Sequence, residues 1–250
     1  MEFSRLLDCL ESDFTRLRSV VPADPAAAVP TCPGWTVADL TRHVGTVYLH
    51  KVVAMREGAE PGDWPPKEIA DEEPLALLDR AYATLRHEFA TRKPADPAWT
   101  WYGPDQTVGF WIRRMAQETV IHRIDAELGA GQPVAPIPDD LAVDGIDELL
   151  GFVTYGSVEW ADYFAPVVAG SPGRTYTVRT DGAAWRIRSG PGLFAVEDGD
   201  AGEADATVNG APAAVLRWVW NRENGPSDVT VEGPADAVDE LKRCIATATQ

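Results

Sequence analysis

The first half of the chain contains four segments in which apolar residues recur every three or four positions. This spacing places the apolar side chains on one face of an α-helix. Loops rich in Pro and Gly separate the segments, Thr36 with Asp39 resembles a capping box, and Gly58 is a natural helix end. Four amphipathic helices of this length predict a four-helix bundle. The predicted helices cover approximately residues 3–21, 36–58, 74–91 and 107–128.

The pattern changes in the second half of the chain. After a predicted bridging helix, "DDLAVDGIDELLGFV", the segment "RTYTVRTDGAAWRIRSG" alternates around a DG turn, which predicts a β-hairpin. Two strand–helix pairs follow, in "ADATVNGAPAAVLRWVWNR" and "SDVTVEGPADAVDELKRCIATA". These elements predict an α+β domain. We therefore divide the chain into a bundle domain, residues 1–135, and an α+β domain, residues 136–250.

Composition and charge narrow the possible partners. The hydrophobic fraction of 45% and the charged fraction of 24% are typical of a soluble globular protein. The formal net charge is −17, and no basic cluster interrupts it. Because this field repels phosphate backbones, nucleic acid is not an expected partner.

The sequence also favours a cytoplasmic location. The N-terminal segment mixes charged and apolar residues, unlike a signal peptide, and no run of 18 apolar residues predicts a membrane span. The three cysteines, Cys9, Cys32 and Cys244, are odd in number and widely spaced, so we expect them to be reduced. Cys32, in the loop "TCPGW", fits a packed residue better than a nucleophile.

Ionisable residues continue the apolar face of the fourth predicted helix. A carboxylate buried in a bundle is costly unless it is paired or bound to a metal, so Glu118 needs a partner. His122, one turn further along, can share that partner. The residues on this face are Trp111, Met115, Glu118, His122 and Asp125.

A third candidate ligand lies on the second predicted helix. His43 is flanked by Leu40 and Val47 at spacings of three and four, on the face expected to point inward. It could therefore meet Glu118 and His122 in the bundle interior. Two His and one Glu leave zinc a fourth position for water or substrate, as in catalytic zinc sites.

Other roles for these residues stay open on spacing alone. Glu118 could form a structural ion pair with Arg114, four residues earlier, or with the neighbouring Arg113. His50 competes with His43 as a ligand, but it lies about 10.5 Å further along the helix axis, too far for both to bind one ion. Asp125, one turn beyond His122, could hold a ligand or a polar group of the cofactor, but we interpret it as a solvated carboxylate near the helix end.

Several segments resemble one known family over nearly the whole chain. The segments are "PTCPGWTVADLTRHVG", "ETVIHRIDAELGAG" and "ADATVNGAPAAVLRWVWNR", followed by "VTVEGPADAVDELKR". They resemble the mycothiol-dependent maleylpyruvate isomerase family. The resemblance implies a DinB/YfiT-like four-helix bundle followed by an α+β domain similar to sterol carrier protein 2 (SCP2).

The resemblance also implies a metal site and a substrate-binding arginine. In this family a divalent metal, zinc in the founding activity, is held by residues that correspond to His43, Glu118 and His122. An arginine of the C-terminal domain is implied to act on the substrate. Arg222, in "WVWNR", occupies that place, and Arg217 is the neighbouring alternative.

The implied reaction is a cis–trans isomerisation with mycothiol as thiol cofactor. The metal-bound thiolate would add to the electron-poor double bond of maleylpyruvate, the adduct would rotate, and elimination would give fumarylpyruvate. The implied partners are a small electrophile and a low-molecular-weight thiol, acting on a monomer or a small homo-oligomer. Mycothiol use implies an actinobacterial source.

Two alternative functions are compatible with the same sequence. The metal-bound thiolate could attack other electrophiles, which would make the protein a mycothiol S-transferase or detoxification enzyme. The chain could instead be a noncatalytic small-molecule-binding protein, with an apolar ligand in the α+β domain and with His43 and Glu118 in structural roles. Metal content separates the enzymes from the binding protein, since the latter needs no metal.

Overall fold

The computed structural model describes residues 1–247, which form two compact units divided between Ala135 and Pro136. The first unit is helical, and α1 packs against α5 while α2 packs against both α4 and α5. The predicted four-helix bundle is thereby confirmed. Its helices are α1 (Phe3–Val20), α2 (Val37–Glu57), the short α3 (Lys67–Ala70), α4 (Pro74–Thr91) and α5 (Val108–Gly129), with a 3-10 turn at Val21–Ala23.

Both ends of α2 are fixed by local sequence. The backbone N–H of Asp39 donates to Thr36 Oγ1 at 3.2 Å, and the backbone N–H of Thr36 donates to Asp39 Oδ2 at 2.9 Å. This reciprocal pair confirms the predicted capping box. Gly58 ends the helix with a φ of 65°, a left-handed conformation that glycine adopts without a Cβ clash. The start and end of the helix that carries His43 are thus specified by its own sequence.

Loss of the α2 cap is expected to cost measurable stability. We expect Thr36→Ala to lower the free energy of unfolding by about 1 kcal/mol, because it leaves the Asp39 N–H without its acceptor. Thr15→Ala is the matched control, since Thr15 is an exposed residue inside α1 whose hydroxyl donates to the Glu11 carbonyl. Urea denaturation of both variants measures the difference. Equal stability of the two variants would contradict this role for Thr36.

Buried charges join α1 to α5. The guanidinium of Arg123 donates to Asp13 Oδ1 at 2.9 Å and to Glu127 Oε2 at 2.8 Å, and its side chain is 1% exposed. The other oxygen of Glu127 accepts from Arg16 Nε at 2.7 Å, and the Ala135 N–H donates to Oε2 at 3.1 Å. The network connects two helices and the chain segment that follows α5. It therefore compensates charges that would otherwise be buried alone.

The second unit contains a mixed five-stranded sheet with four helices. The strand order is β3-β2-β1-β4-β5, β1 runs parallel to β4, and the other neighbours are antiparallel. The predicted α+β class is confirmed. The elements are α6 (Asp139–Glu159), α7 (Ala161–Val168), β1 (Arg174–Thr180), β2 (Ala183–Gly190), β3 (Leu193–Asp198), β4 (Ala206–Asn209), α8 (Pro212–Val219), β5 (Thr230–Glu232) and α9 (Ala235–Thr247).

Some elements of this unit follow directly from the sequence and others do not. The DG turn joins β1 to β2 as predicted, with Gly182 at a φ of 81°. The sequence interpretation missed β3, a six-residue strand bounded by glycines, and α7, which contains Pro166. Among the helices of residues 1–247, none combines the length and apolar character needed to cross a bilayer.

Candidate metal centre

Three of the predicted site residues lie together in the bundle. His43 comes from α2, and Glu118 and His122 come from successive turns of α5. Glu118 Oε1 lies 3.4 Å from His43 Nε2 and 3.2 Å from His122 Nε2. One potential ligand atom from each residue lies within 4.8 Å of the other two. These distances allow the three side chains to share one ion.

The cluster is partly open to solvent. The side chain of His43 is 35% exposed, that of Glu118 is 18% exposed, and that of His122 is 11% exposed. The ring of Trp35 lies 4.8 Å from the ring of His43, centroid to centroid, so an aromatic side chain borders the accessible edge. A small molecule can therefore approach from the His43 side while the rest of the cluster stays buried.

Asp125 orients one of the candidate ligands. Its Oδ2 lies 3.0 Å from His122 Nδ1, and Thr31 Oγ1 donates to its Oδ1. A carboxylate at Nδ1 holds the proton there, which leaves the Nε2 lone pair directed at the cluster. The interpretation of Asp125 as a solvated carboxylate is wrong. Its side chain is fully buried because the loop that carries Thr31 and Cys32 contacts it, with Cys32 Sγ 3.5 Å from Oδ2.

The competing ion pair of Glu118 is also present. Arg114 Nη2 lies 3.0 Å from Glu118 Oε2, on the oxygen that does not face the histidines. Arg114 therefore fixes the carboxylate in place while Oε1 stays directed at His43 and His122. The ion pair and the candidate metal site are compatible, since each uses a different oxygen.

The electrostatics of the cluster favour a cation. Burial opposes ionisation of Glu118, but the charge of His122, hydrogen bonds from both histidines and the charge of Arg114 hold its pKa well below the usual value. Burial likewise disfavours a charged His122, but Glu118 and Asp125 outweigh burial and raise the pKa of His122 to about 9. The position between these side chains attracts positive charge, which a divalent ion would supply in place of the histidine proton.

This donor set fits a divalent metal. Two imidazoles and one carboxylate are ligands that zinc uses in catalytic sites, where a fourth position stays open. The carboxylate–histidine contact made by Asp125 is the outer contact that usually accompanies a metal-bound imidazole. His50 is not in the cluster, since its ring packs against Trp64 at a centroid distance of 5.3 Å.

Removing the charge of Asp125 is expected to weaken metal binding without removing a ligand. We expect Asp125→Asn to lower zinc affinity about 10- to 100-fold, because His122 loses the partner that sets its tautomer. Competition with a chromophoric chelator measures the affinity. Asp79→Asn is the control, since Asp79 is an exposed carboxylate paired with Arg18. Equal zinc affinity of the Asp125 variant and wild type would contradict the orienting role.

The predicted substrate arginine lies in the second unit. Arg222 follows α8 and is half-buried, and its Nη1 donates to the Trp220 carbonyl at 2.7 Å. Arg217, the alternative, donates from Nε to the Arg222 carbonyl at 3.2 Å and lies 3.7 Å from Asp228. Arg217 therefore stabilises the turn that carries Arg222.

The sequence interpretation missed Lys51 as a residue of the bundle interior. Lys51 is on α2, and its ammonium lies 4.9 Å from the centroid of the Trp111 ring on α5. The signal was available in the spacing, because Lys51 follows Val44 by seven residues on the inward face of the helix.

Comparisons with known proteins agree with this architecture. A family model described as the mycothiol maleylpyruvate isomerase N-terminal domain matches residues 7–127, and a model of the MDMPI C-terminal domain matches residues 140–240. The chain belongs to the mycothiol maleylpyruvate isomerase family. The resemblance on which the sequence analysis relied is thus confirmed. A search of curated proteins gave no match.

Two solved structures of one isomerase share the fold at low sequence identity. A crystal structure of the mycothiol-dependent maleylpyruvate isomerase matches with a TM-score of 0.61 and 17% identity, covering 94% of this chain and 95% of the other. A histidine-to-alanine mutant of that isomerase matches with a TM-score of 0.60 and 16% identity over the same shares. A UbiJ-SCP2 ubiquinone synthesis protein matches with a TM-score of 0.29 and 18% identity, covering 46% of this chain and 96% of the other.

Proposed function

We propose that this protein is a mycothiol-dependent, metal-dependent isomerase that converts maleylpyruvate to fumarylpyruvate. The observation that carries the proposal is the cluster of His43, Glu118 and His122, with ligand atoms within 4.8 Å of one another, in a chain that belongs to the isomerase family. We propose zinc as the metal, because two imidazoles, one carboxylate and an open fourth position are typical of catalytic zinc sites.

The chain's own residues hold and shape the site. His43, Glu118 and His122 would bind the ion, while Arg114 fixes Glu118 and Asp125 holds the Nδ1 proton of His122. When bound, a divalent cation stabilises the thiolate form of a thiol near neutral pH. Burial of Glu118 and His122 keeps water from one side of the site, and the exposed edge of His43 leaves an entrance for the cofactor.

We propose that Arg222 binds a carboxylate of the substrate. A guanidinium presents paired N–H donors that match a carboxylate, and this geometry orients the substrate as well as binding it. Arg217 supports the turn that carries Arg222, through its hydrogen bond to the Arg222 carbonyl. A half-buried arginine beside a helix end is compatible with this role.

The compartment is proposed to be the cytoplasm. Cys9 and Cys244 are buried, Cys32 is half-buried, and none of the three forms a disulfide. Reduced cysteines and a low-molecular-weight thiol cofactor both suit a reducing environment.

The test is an isomerase assay on zinc-loaded protein with maleylpyruvate, with and without mycothiol, resolved by chromatography. We expect fumarylpyruvate only when metal and mycothiol are both present. We expect Arg222→Ala to raise KM about tenfold, because a charge-assisted contact to substrate is lost. Arg188→Ala is the control, since it removes an exposed arginine paired with Glu197, and it is expected to leave KM unchanged. Metal-loaded protein that forms no fumarylpyruvate with mycothiol would contradict the proposal, and a stable thioether product would point to S-transfer.

A further inference from the structure

Lys51 is a half-buried cation near the candidate metal centre. Its Nζ lies 4.9 Å from the centroid of the Trp111 ring and 3.2 Å from His50 Nδ1. His50 is held neutral because burial and the adjacent Lys51 charge lower its pKa to about 4. The ammonium therefore donates one hydrogen bond to a neutral ring, and further N–H donors remain for another acceptor.

Within residues 1–247, no carboxylate lies within 4 Å of the Lys51 ammonium, the distance at which an ion pair forms. By contrast, Lys67 on the surface pairs with Asp71. Burying a cation without an anion is costly. Burial lowers the pKa of Lys51 to about 8 even though the negative charge of Glu118 acts against this.

A second donor near Lys51 also lacks an acceptor. The Trp64 indole nitrogen is buried, and no hydrogen-bond acceptor from residues 1–247 reaches it. The Trp64 ring packs edge-on against His50, the residue that contacts Lys51. Buried polar groups in folded proteins are nearly always satisfied. This region of the bundle therefore offers donors without matching acceptors, as a pocket for an anionic group does.

The positions of Lys51 and Trp111 along their helices give the separation of Lys51 from the candidate metal centre. On α2, Lys51 follows His43 by eight residues, which is about 12 Å along the helix axis. On α5, Trp111 precedes Glu118 by seven residues, which is about 10.5 Å along the helix axis. Glu118 is the carboxylate that most favours the charged form of Lys51. The ammonium thus lies to one side of the centre, separated from it by a distance that a ligand of several carbon atoms can span.

We propose that Lys51 binds a terminal carboxylate of the substrate, whose reactive carbons then lie at the metal centre. The site would accordingly select unsaturated carboxylic acids with an anionic group several atoms from the electrophilic double bond. The flat face of Trp111 would line the path between the two positions. This inference rests on the proposed function, since it assigns the substrate class of the same site.

The test measures carboxylate binding in the absence of mycothiol, so that no reaction occurs. Calorimetry of zinc-loaded protein with maleylpyruvate compares wild type with Lys51→Met and Lys51→Arg. We expect Lys51→Met to weaken maleylpyruvate binding about tenfold or more, because a charged hydrogen bond is lost, and Lys51→Arg to retain affinity within about threefold. The neutral dimethyl ester of maleylpyruvate is expected to bind wild type and Lys51→Met equally.

Lys242→Met is the matched control. Lys242 Nζ lies 4.8 Å from the centroid of the Trp218 ring in the second unit, so the same substitution removes a comparable lysine–tryptophan contact. Methionine keeps the unbranched stem of Lys51 over Trp111, and thermal unfolding checks that the variant stays folded. We expect Lys242→Met to bind maleylpyruvate as wild type does.

Two results would overturn the inference: equal maleylpyruvate affinity in wild type and Lys51→Met, or no maleylpyruvate binding by zinc-loaded wild type at millimolar concentration. The isomerase assay on the same samples separates this inference from the proposed function. Lys51-dependent maleylpyruvate binding without isomerase activity would contradict only the reaction. Isomerase activity with maleylpyruvate affinity independent of Lys51 would overturn only the assignment of Lys51.

Discussion

Replacing His122 with alanine is expected to lower kcat/KM for maleylpyruvate by about 10³-fold or more. The magnitude follows because a metal ion supplies several kcal/mol of charge stabilisation, and each 1.4 kcal/mol corresponds to about tenfold in rate. His122 is a candidate ligand held in place by the protein, since Asp125 lies 3.0 Å from its Nδ1 and Glu118 lies 3.2 Å from its Nε2. Its loss would leave two of the three candidate ligands.

The measurement is the rate of isomerisation with mycothiol at saturating zinc, for His122→Ala beside His87→Ala. His87 is an exposed histidine of α4, so its variant is expected to keep wild-type kcat/KM. Circular dichroism checks that both variants keep their helix content. A His122→Ala variant with more than about a tenth of the wild-type kcat/KM would contradict the role given to the metal site.

Replacing Glu127 with alanine is expected to lower the free energy of unfolding by about 3–5 kcal/mol. Glu127 is fully buried and accepts from Arg123, Arg16 and the Ala135 N–H. Its removal breaks the buried ion pair with Arg123 and leaves the Ala135 N–H without its acceptor, and removing one partner of a buried ion pair carries a penalty of this size.

Urea denaturation of Glu127→Ala and Glu11→Ala tests this expectation. Glu11 pairs with Arg86 on the surface, with side chains 60% and 42% exposed, so its removal is expected to change stability by less than about 1 kcal/mol. A loss below about 1 kcal/mol for Glu127→Ala would contradict the structural role of the network.

The features that follow from the sequence are those set by local pattern. The capping box of Thr36 and Asp39 depends on a spacing of three residues, and Gly58 ends α2 because the turn needs a left-handed residue. Glu118 and His122 share a face because they are four residues apart. The inward position of His43 could be predicted from its spacing on α2, on the assumption that α2 packs in the same bundle. The cluster of His43, Glu118 and His122 could therefore be predicted from the sequence.

The features that could not be predicted depend on tertiary packing. Asp125 is buried because the loop containing Thr31 and Cys32 contacts it, and no periodic pattern reports where a loop lies. Arg123 and Glu127 occupy faces of α5 that an amphipathic helix would expose, but α5 is buried on nearly all sides. The prediction from residue spacing assumes that an amphipathic helix has one buried face. This assumption fails for a helix at the centre of a bundle.

The most direct test of the central claim is metal content by inductively coupled plasma mass spectrometry on untagged protein. Wild type is compared with His43→Ala and Glu118→Ala, each after incubation with zinc and removal of excess ion. We predict about one equivalent in wild type and loss of bound metal in both variants, since a site of three protein ligands then lacks one. Wild-type protein without metal after incubation with zinc would contradict the claim that His43, Glu118 and His122 form a metal centre.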